Sequence, residues 1–513
     1  MVLGSFFIFC LTNAGYGQIP AQSWIKQYPT TLEANASYTA KAIIEEADGF
    51  VISGYRSVQV GTNTGSTNIF AFKINDDGDV IWFNNYDIAN PEEGYESVEE
   101  ASSMVKNHEG NYYITGVQTL PPIPNPEPPP ATFPSTRAIV LEIMADGTQG
   151  KTLVIDTDDD FAEGKKITRT VNDTYLITGS ALDYDAGGTD MIFLAEFTGS
   201  EEDIIAANKF YVKDNDQNKA GYGNCVTLLT DKPAENPYLL AGNIINNKFD
   251  MFIMNTDEYG SAEWQHIIGG DEDDIVNTLI LSDDEIFISG YSEVPVSTFY
   301  HHQAYLAKMD LYGTIDWEKT YGGSGTFFVV RAMKVDDGNI MMIGHMEGND
   351  HKDYPFFLKA NSETGDSLWY DKWTTNSAIS EAIYTSYSGY LVAGKYITNW
   401  APSDKIFLAK YGNRSGTAIE ATQEGSDDFM LAPCYPNPLN TEGRIDFRIP
   451  GHGHVSLTVY NLAGQLVQNI VNGELDQGDH TVVWNVQGMP AGTYFLNLET
   501  NGLVRRQKVI IVK

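Results

Sequence analysis

The chain has 513 residues, 42% hydrophobic and 12% aromatic, with 32 basic against 69 acidic side chains and a formal net charge of −37. That apolar and aromatic content supports a large folded core and excludes a disordered chain. The strong negative charge argues against nucleic acid or an anionic membrane surface as a partner, since both would repel it.

Residues 4–13 carry an apolar run (Phe6, Phe7, Ile8, Phe9, Cys10, Leu11), followed by Ala14, Gly15 and Gly17. The run is too short to span a bilayer and reads as the core of a signal peptide over residues 1–17, although no Lys or Arg precedes it. The competing reading is a buried first strand. No later stretch reaches the length of about 18 apolar residues that a spanning helix needs, so no membrane span is expected. Loss of Cys10 leaves Cys225 and Cys434, two distant cysteines that define no disulfide framework.

From residue 18 to 413 one phrase recurs seven times: an apolar strand ending in Gly, a variable loop, then a second strand. The glycines are Gly54, Gly116, Gly179, Gly242, Gly290, Gly344 and Gly394, spaced 62, 63, 63, 48, 54 and 50 residues apart. Such a period fits one small antiparallel sheet per repeat. In the first repeat the strands read Ala40–Ile44, Phe50–Tyr55 and Asn68–Ile74, and the turn 75–78 leads to a fourth strand with Trp82. Gly and Trp are likewise four apart at Gly260 and Trp264, Gly313 and Trp317, and Gly365 and Trp369, whereas the second and third repeats lack the Trp. Four strands in series form a meander, so the expected fold is all-β: a seven-bladed propeller. The seventh repeat lacks a Trp strand of its own, and Ser23–Tyr28 matches Asp316–Tyr321 in pattern. The N-terminal segment is therefore expected to complete the last blade and close the ring without an exposed sheet edge. Packing between blades accounts for the tryptophans, and a bulge or bend for the glycines.

Function is expected on the loops between second and third strands and on the links between blades, which open on one face. Within them, Tyr300, His301, Tyr354 and Trp400 are the candidate ligand-binding residues, aromatics and a histidine suited to stacking on a sugar or peptide. Ordinary loop packing is the plain alternative. His301, His302 and His351 lack the spacing of a metal site, adjacent histidines seldom pointing at one ion. Calcium is the only cofactor entertained, at the acidic link Asp271–Asp274, although no twelve-residue loop with Gly and a distal Glu is present. The proline-rich stretch Leu120–Pro134 reads as an extended surface loop. No Gly-x-Ser-x-Gly or Cys/His signature for nucleophilic catalysis occurs, so no catalytic residue is assigned.

Residues 414–433 are a polar linker, and from 434 onward apolar residues alternate: Ile445, Phe447, Ile449; Val455, Leu457, Val459; Val482, Trp484; Tyr494, Leu496, Leu498; Val509, Ile511. One buried face per strand and about 80 residues predict a small β-sandwich. Its six basic residues balance six acidic ones, so the net charge lies upstream. Tyr435-Pro436-Asn437-Pro438, the stretch 459–464 ending in Gly464, Gly492-Thr493-Tyr494-Phe495 and the terminal 508–513 ending in Lys513 resemble the type A C-terminal sorting domain of the type IX secretion system of Bacteroidetes-type bacteria. The resemblance implies export through that machinery, removal of the domain by a sortase, and release or attachment at the outer surface.

The turn-plus-Trp phrase also resembles quinoprotein-type repeats, Thr364–Trp369 being nearest, yet there are seven repeats rather than eight and no adjacent cysteine pair. The expected function is a secreted or cell-surface propeller that binds an extracellular glycan or protein without catalysis. The alternatives are a polysaccharide hydrolase or lyase on the same fold, and a structural adhesin.

Overall fold

In the computed structural model, described residues run from 22 to 512, apart from 30–35, 61–62, 89–96, 121–134, 158–160, 171, 184–188, 200–204, 230–236, 283, 297–298, 323–324, 349, 399–400, 403–404, 413–429, 432–433, 435–438, 450, 462–465 and 501–502. The signal-peptide segment, most of the proline-rich stretch and most of the linker lie outside them. Every regular element among the described residues is a β-strand, and no helix long and apolar enough to cross a membrane is present among them. The chain divides into two compact units, residues 1–415 and 416–513.

The first unit contains seven antiparallel four-stranded meanders. The first comprises Ala36–Glu46, Gly49–Val60, Asn63–Asn75 and Val80–Tyr86. The next four begin with the strands Val98–Lys106, Ala162–Arg169, Gln217–Leu228 and Asp274–Ser282, and the sixth with Thr326–Lys334. The seventh takes Ser377–Tyr384, Tyr390–Thr398 and Ile406–Tyr411 from its own stretch of chain and Gln22–Tyr28 from the N-terminus, Tyr28 pairing with Ile406.

Second and third strands are apolar without alternation. Val51, Ile52, Ile69, Phe70, Ala71 and Phe72 are all fully buried, because each sheet is covered by a neighbour on both faces. Seven core clusters fill the gaps between successive meanders, and one of them joins the first to the seventh through Tyr28, Tyr38, Phe50, Phe70, Leu391 and Leu408. Each first strand also touches the first strands of the meanders on both sides, the first strand of meander one meeting that of meander seven.

The tryptophans lock these interfaces. A Cβ on Gly147, Gly313 or Gly365 would lie 2.6 Å from the ring of Trp82, Trp264 or Trp317, which belongs in each case to the preceding meander. Trp24 rests in the same way on Gly78 of the first meander and donates its indole N–H to the Asp76 carbonyl at 2.8 Å. Gly78 and Gly365 have φ of 79° and 70°, a region open to glycine, and the turns they end are held by Asn75 and Asn361 accepting from the following backbone N–H groups.

The repeated glycine is not at a strand end, as the sequence pattern had it, but inside the second strand, which runs several residues further. All seven first strands carry a β-bulge directly opposite it, between Ala40 and Ala42 and at the equivalent positions of the other six. The bulge drives a carbonyl oxygen into the place of a side chain: a Cβ would sit 1.8–2.3 Å from that oxygen at each of the seven glycines.

In the second unit, Met430–Leu431, Glu442–Ile449 and Gly478–Asn485 form one sheet, and Leu466–Leu475, Gly453–Asn461, Gly492–Thr500 and Leu503–Ile511 another. Both contribute to one core that includes Ile445, Phe447, Leu457, Trp484, Leu496 and Val509. Tyr494 is buried and donates to the Pro490 carbonyl at 3.0 Å, and Gly492 opens its strand. Tyr435, Pro436, Asn437, Pro438, Gly464 and Lys513 lie outside the described residues.

Candidate functional site

The bulge that demands the glycine also aims side chains into the space that the first strands enclose. Lys41, Ser102, Lys165, Asn224 and Asn277 occupy the same bulge position in the first five meanders, and all five line a single cavity of about 280 Å³, together with Glu100, Glu163, Lys166 and Arg331. Residues separated by as much as 290 positions thus meet at one place. First strands alternate buried and half-exposed residues, as Asp274–Ser282 does at its start, because one of their faces borders this cavity.

Its electrostatics depart from the rest of the chain. Arg331 donates from Nε to Glu381 Oε1 at 2.8 Å and from a second nitrogen to the other carboxylate oxygen, a bidentate pair. Lys165 is paired with Glu163. Burial lowers the pKa of Lys166, and the neighbouring Arg331 charge lowers it further. Burial also lowers that of Lys41, against an opposing pull from Glu100. The Asn224 and Asn277 amides donate to the Val276 and Val329 carbonyls at 2.9 and 2.7 Å, tying each first strand to the next.

A larger cavity of about 590 Å³ adjoins the first and shares Glu163, Lys165, Asn224 and Asn277 with it. It opens where first strands begin and second strands end, the side on which the variable loops lie, and is lined further by Phe161, Ser180, Asp190, Tyr222 and Ile275. Burial pushes the Tyr222 phenol up to about 12 and raises Asp190, with Glu163 adding to the latter. Ile275 pairs with Tyr291, from which an aromatic run continues. Tyr291 stacks on His302 at 4.7 Å, His302 meets the edge of Phe328 at 4.9 Å, and Phe328 stacks on His345 at 5.3 Å. Burial holds His345 near a pKa of about 4, and hence neutral. The cavity lining itself combines the aromatic residues Phe161 and Tyr222 with carboxylate, ammonium and amide groups.

A third cavity, of about 580 Å³, is lined by Gly269, Gly270, Asp271, Glu272, Asp274, Glu293 and Glu318 among others. This is the link where calcium was entertained. Among the described residues no group of three or more His, Cys, Asp or Glu is arranged to hold a metal ion. The acidic groups face Lys248, which lies 3.4 Å from Glu272 and 3.7 Å from Glu293.

The residues singled out from the sequence do not converge here. Tyr300 and His301 are in the strand Phe299–Asp310 rather than a loop, because second and third strands of this meander extend as one long hairpin in which Val294 faces His301 and Pro295 faces Tyr300. His301 Nδ1 lies 3.1 Å from Thr326 Oγ1. Tyr354 is in the strand Asp353–Ala360, where its hydroxyl donates to Asp350 at 2.7 Å and Lys372 lies over its ring. Trp400 is outside the described residues. His301 and Tyr354 are not among the described residues that line the three cavities. The residues that do line them carry no shared sequence signal: the bulge falls at differing distances before the repeated glycine, and the residue after it ranges from Ala42 to Lys166, Arg331 and Glu381.

Residues 433–512 match the family model of the secretion system C-terminal sorting domain. The second unit thus carries a sorting domain of the type IX secretion system, and the chain is one exported by that route. No curated protein matches the sequence. Among solved structures the chain is similar to a protein of unknown function from Dyadobacter fermentans, with 11% identity, 75% of this chain and 99% of that one covered, and a TM-score of 0.41. It is also similar to the polysaccharide lyase Uly1, with 9% identity, 76% and 99% covered, and a TM-score of 0.44. A fungal alcohol oxidase of the AA5 family gives 10% identity, 97% and 100% covered, and a TM-score of 0.43.

Proposed function

We propose that this protein is a secreted or surface-attached, non-catalytic carbohydrate-binding protein. In this reading a signal peptide over residues 1–17 is removed, residues 18–413 form a seven-bladed propeller closed by the N-terminal strand, residues 414–433 are a linker, and residues 434–513 form a sandwich read by the export machinery and its sortase. The closed cycle of touching first strands and the core cluster shared by the first and seventh meanders support the seven-bladed ring. The observation that carries the binding function is the cavity of about 590 Å³ lined by Phe161, Tyr222, Ser180, Asp190 and Asn224. Aromatic faces beside convergent hydrogen-bonding groups suit a sugar ring, which is apolar on its faces and polar on its rim. The secreted protein is expected to retain oligosaccharides on a glycan array, and Tyr222→Ala to weaken retention roughly tenfold. Silence across the array would turn the search to protein ligands.

One observation favours a polysaccharide hydrolase or lyase instead: Glu163 and Asp190 line the same cavity, and Asp190 is held toward its protonated form. Release of new reducing ends from a retained polysaccharide, abolished by Asp190→Asn, would establish that reading over the binding one.

A further inference from the structure

The cavity between the first strands holds charges that the fold itself does not use. Arg331 and Lys165 are each neutralised within the protein, by Glu381 and Glu163. Among the described residues no ion pair or hydrogen bond engages Lys166 or Lys41, and the Lys41 ammonium lies over the Tyr55 ring at 5.8 Å. Two ammonium groups, that of the exposed Lys41 and that of the half-buried Lys166, therefore line one space of about 280 Å³ in a chain whose net charge is −37. Like charges that share one cavity repel each other, and an anion placed between them relieves that repulsion. Glu100, which also lines the cavity, is the one carboxylate there without a paired cation, so the four cations Lys41, Lys165, Lys166 and Arg331 exceed Glu100, Glu163 and Glu381 by one charge. Room is left for a single negative charge. Glu100 would at the same time repel a multiply charged ion and can accept a hydrogen bond from a hydroxyl. The cavity adjoins the larger one and shares four lining residues with it.

We infer that Lys41 and Lys166 form an anion subsite that takes the carboxylate, or the singly charged sulfate ester, of an acidic sugar, with Glu100 receiving a neighbouring hydroxyl. The inference rests on the carbohydrate reading for its ligand, but not for the anion site itself. It assigns the preferred ligand class: polysaccharides bearing uronic acid or sulfate ester groups.

Two arms test it on the full chain. In the first, a galacturonate oligosaccharide and its carboxyl-reduced counterpart are titrated calorimetrically at low salt. The acidic form is expected to bind roughly tenfold or more tightly, as hydrogen bonds to a charged group imply. Lys166→Gln and Lys41→Gln should each bring its affinity down toward that of the reduced form, while Lys166→Arg keeps the preference. Equal affinity of the two sugars, or a preference that survives both Gln variants, would overturn the inference and leave the carbohydrate reading standing. Where neither sugar binds, the second arm decides. Inorganic sulfate, compared with chloride at matched ionic strength, is expected to raise the melting temperature, and Lys41→Gln, on an accessible side chain, should remove that rise. A sulfate effect lost in the variant would establish an anion site for a free ion while the carbohydrate reading falls; no sulfate effect would refute the subsite.

Discussion

At the residue scale, a few positions are held by geometry that no substitution can relieve. The seven second-strand glycines face a backbone oxygen in place of a side chain, and their recurrence is thus a demand of the bulge rather than of any ligand. Glu99 represents a different strain. It is fully buried beside Ser97, Gln118 and Asn68, and burial pushes its carboxyl up to about 7. Between the ordinary value of 4.5 and about 7 the unfolded chain has released this proton while the folded chain keeps it, so stability falls as pH rises through that window. Glu99→Gln removes the titration. Its stability relative to the parent is expected to increase between those pH values, by about 3 kcal/mol at full extent, in denaturant melts at pH 4 and pH 8. A pH-independent difference would show that Glu99 is not the group concerned.

At the scale of the element, the strand Gln22–Tyr28 carries the test of ring closure. Tyr28 is buried and donates to the Gly78 carbonyl, as Tyr86 does to Gly147 and Tyr321 to Gly365 at 2.8 and 2.6 Å. An N-terminal strand that is a full member of its sheet should be as costly to damage as an internal one. Tyr28→Ala and Tyr321→Ala are each expected to lose about 3–5 kcal/mol in equilibrium unfolding. A much smaller loss for Tyr28→Ala would mean that the terminal strand detaches before the ring unfolds. The element scale also explains why the loop candidates failed. The sequence pattern places a loop over 292–303, whereas cross-strand pairing continues to Val296 and Phe299. Hydrogen bonds between backbones do not require apolar side chains, so hairpin length is poorly visible in composition.

For the whole molecule, charge and address are divided between the two units. Residues 434–513, neutral in sum, carry the sorting domain, and the net negative charge lies upstream of them. Removal of residues 434–513 is expected to leave the protein in the periplasm, measured by cell fractionation and surface proteolysis, whereas undiminished surface delivery would refute that role. What the sequence alone determined was whatever is local or periodic: the seven repeats, the turns, the Trp and Gly positions, and the ordered motifs of the sorting domain, each fixed by contacts within a few tens of residues or between equivalent places in adjoining repeats. The site was decided only by tertiary structure. Lys41, Glu100, Lys165, Lys166, Asn224 and Arg331 come from five different repeats and share no motif. They meet because bulged first strands of successive meanders line one cavity, and a bulge sets the direction of a side chain without leaving a mark on the identity of the residue that occupies it.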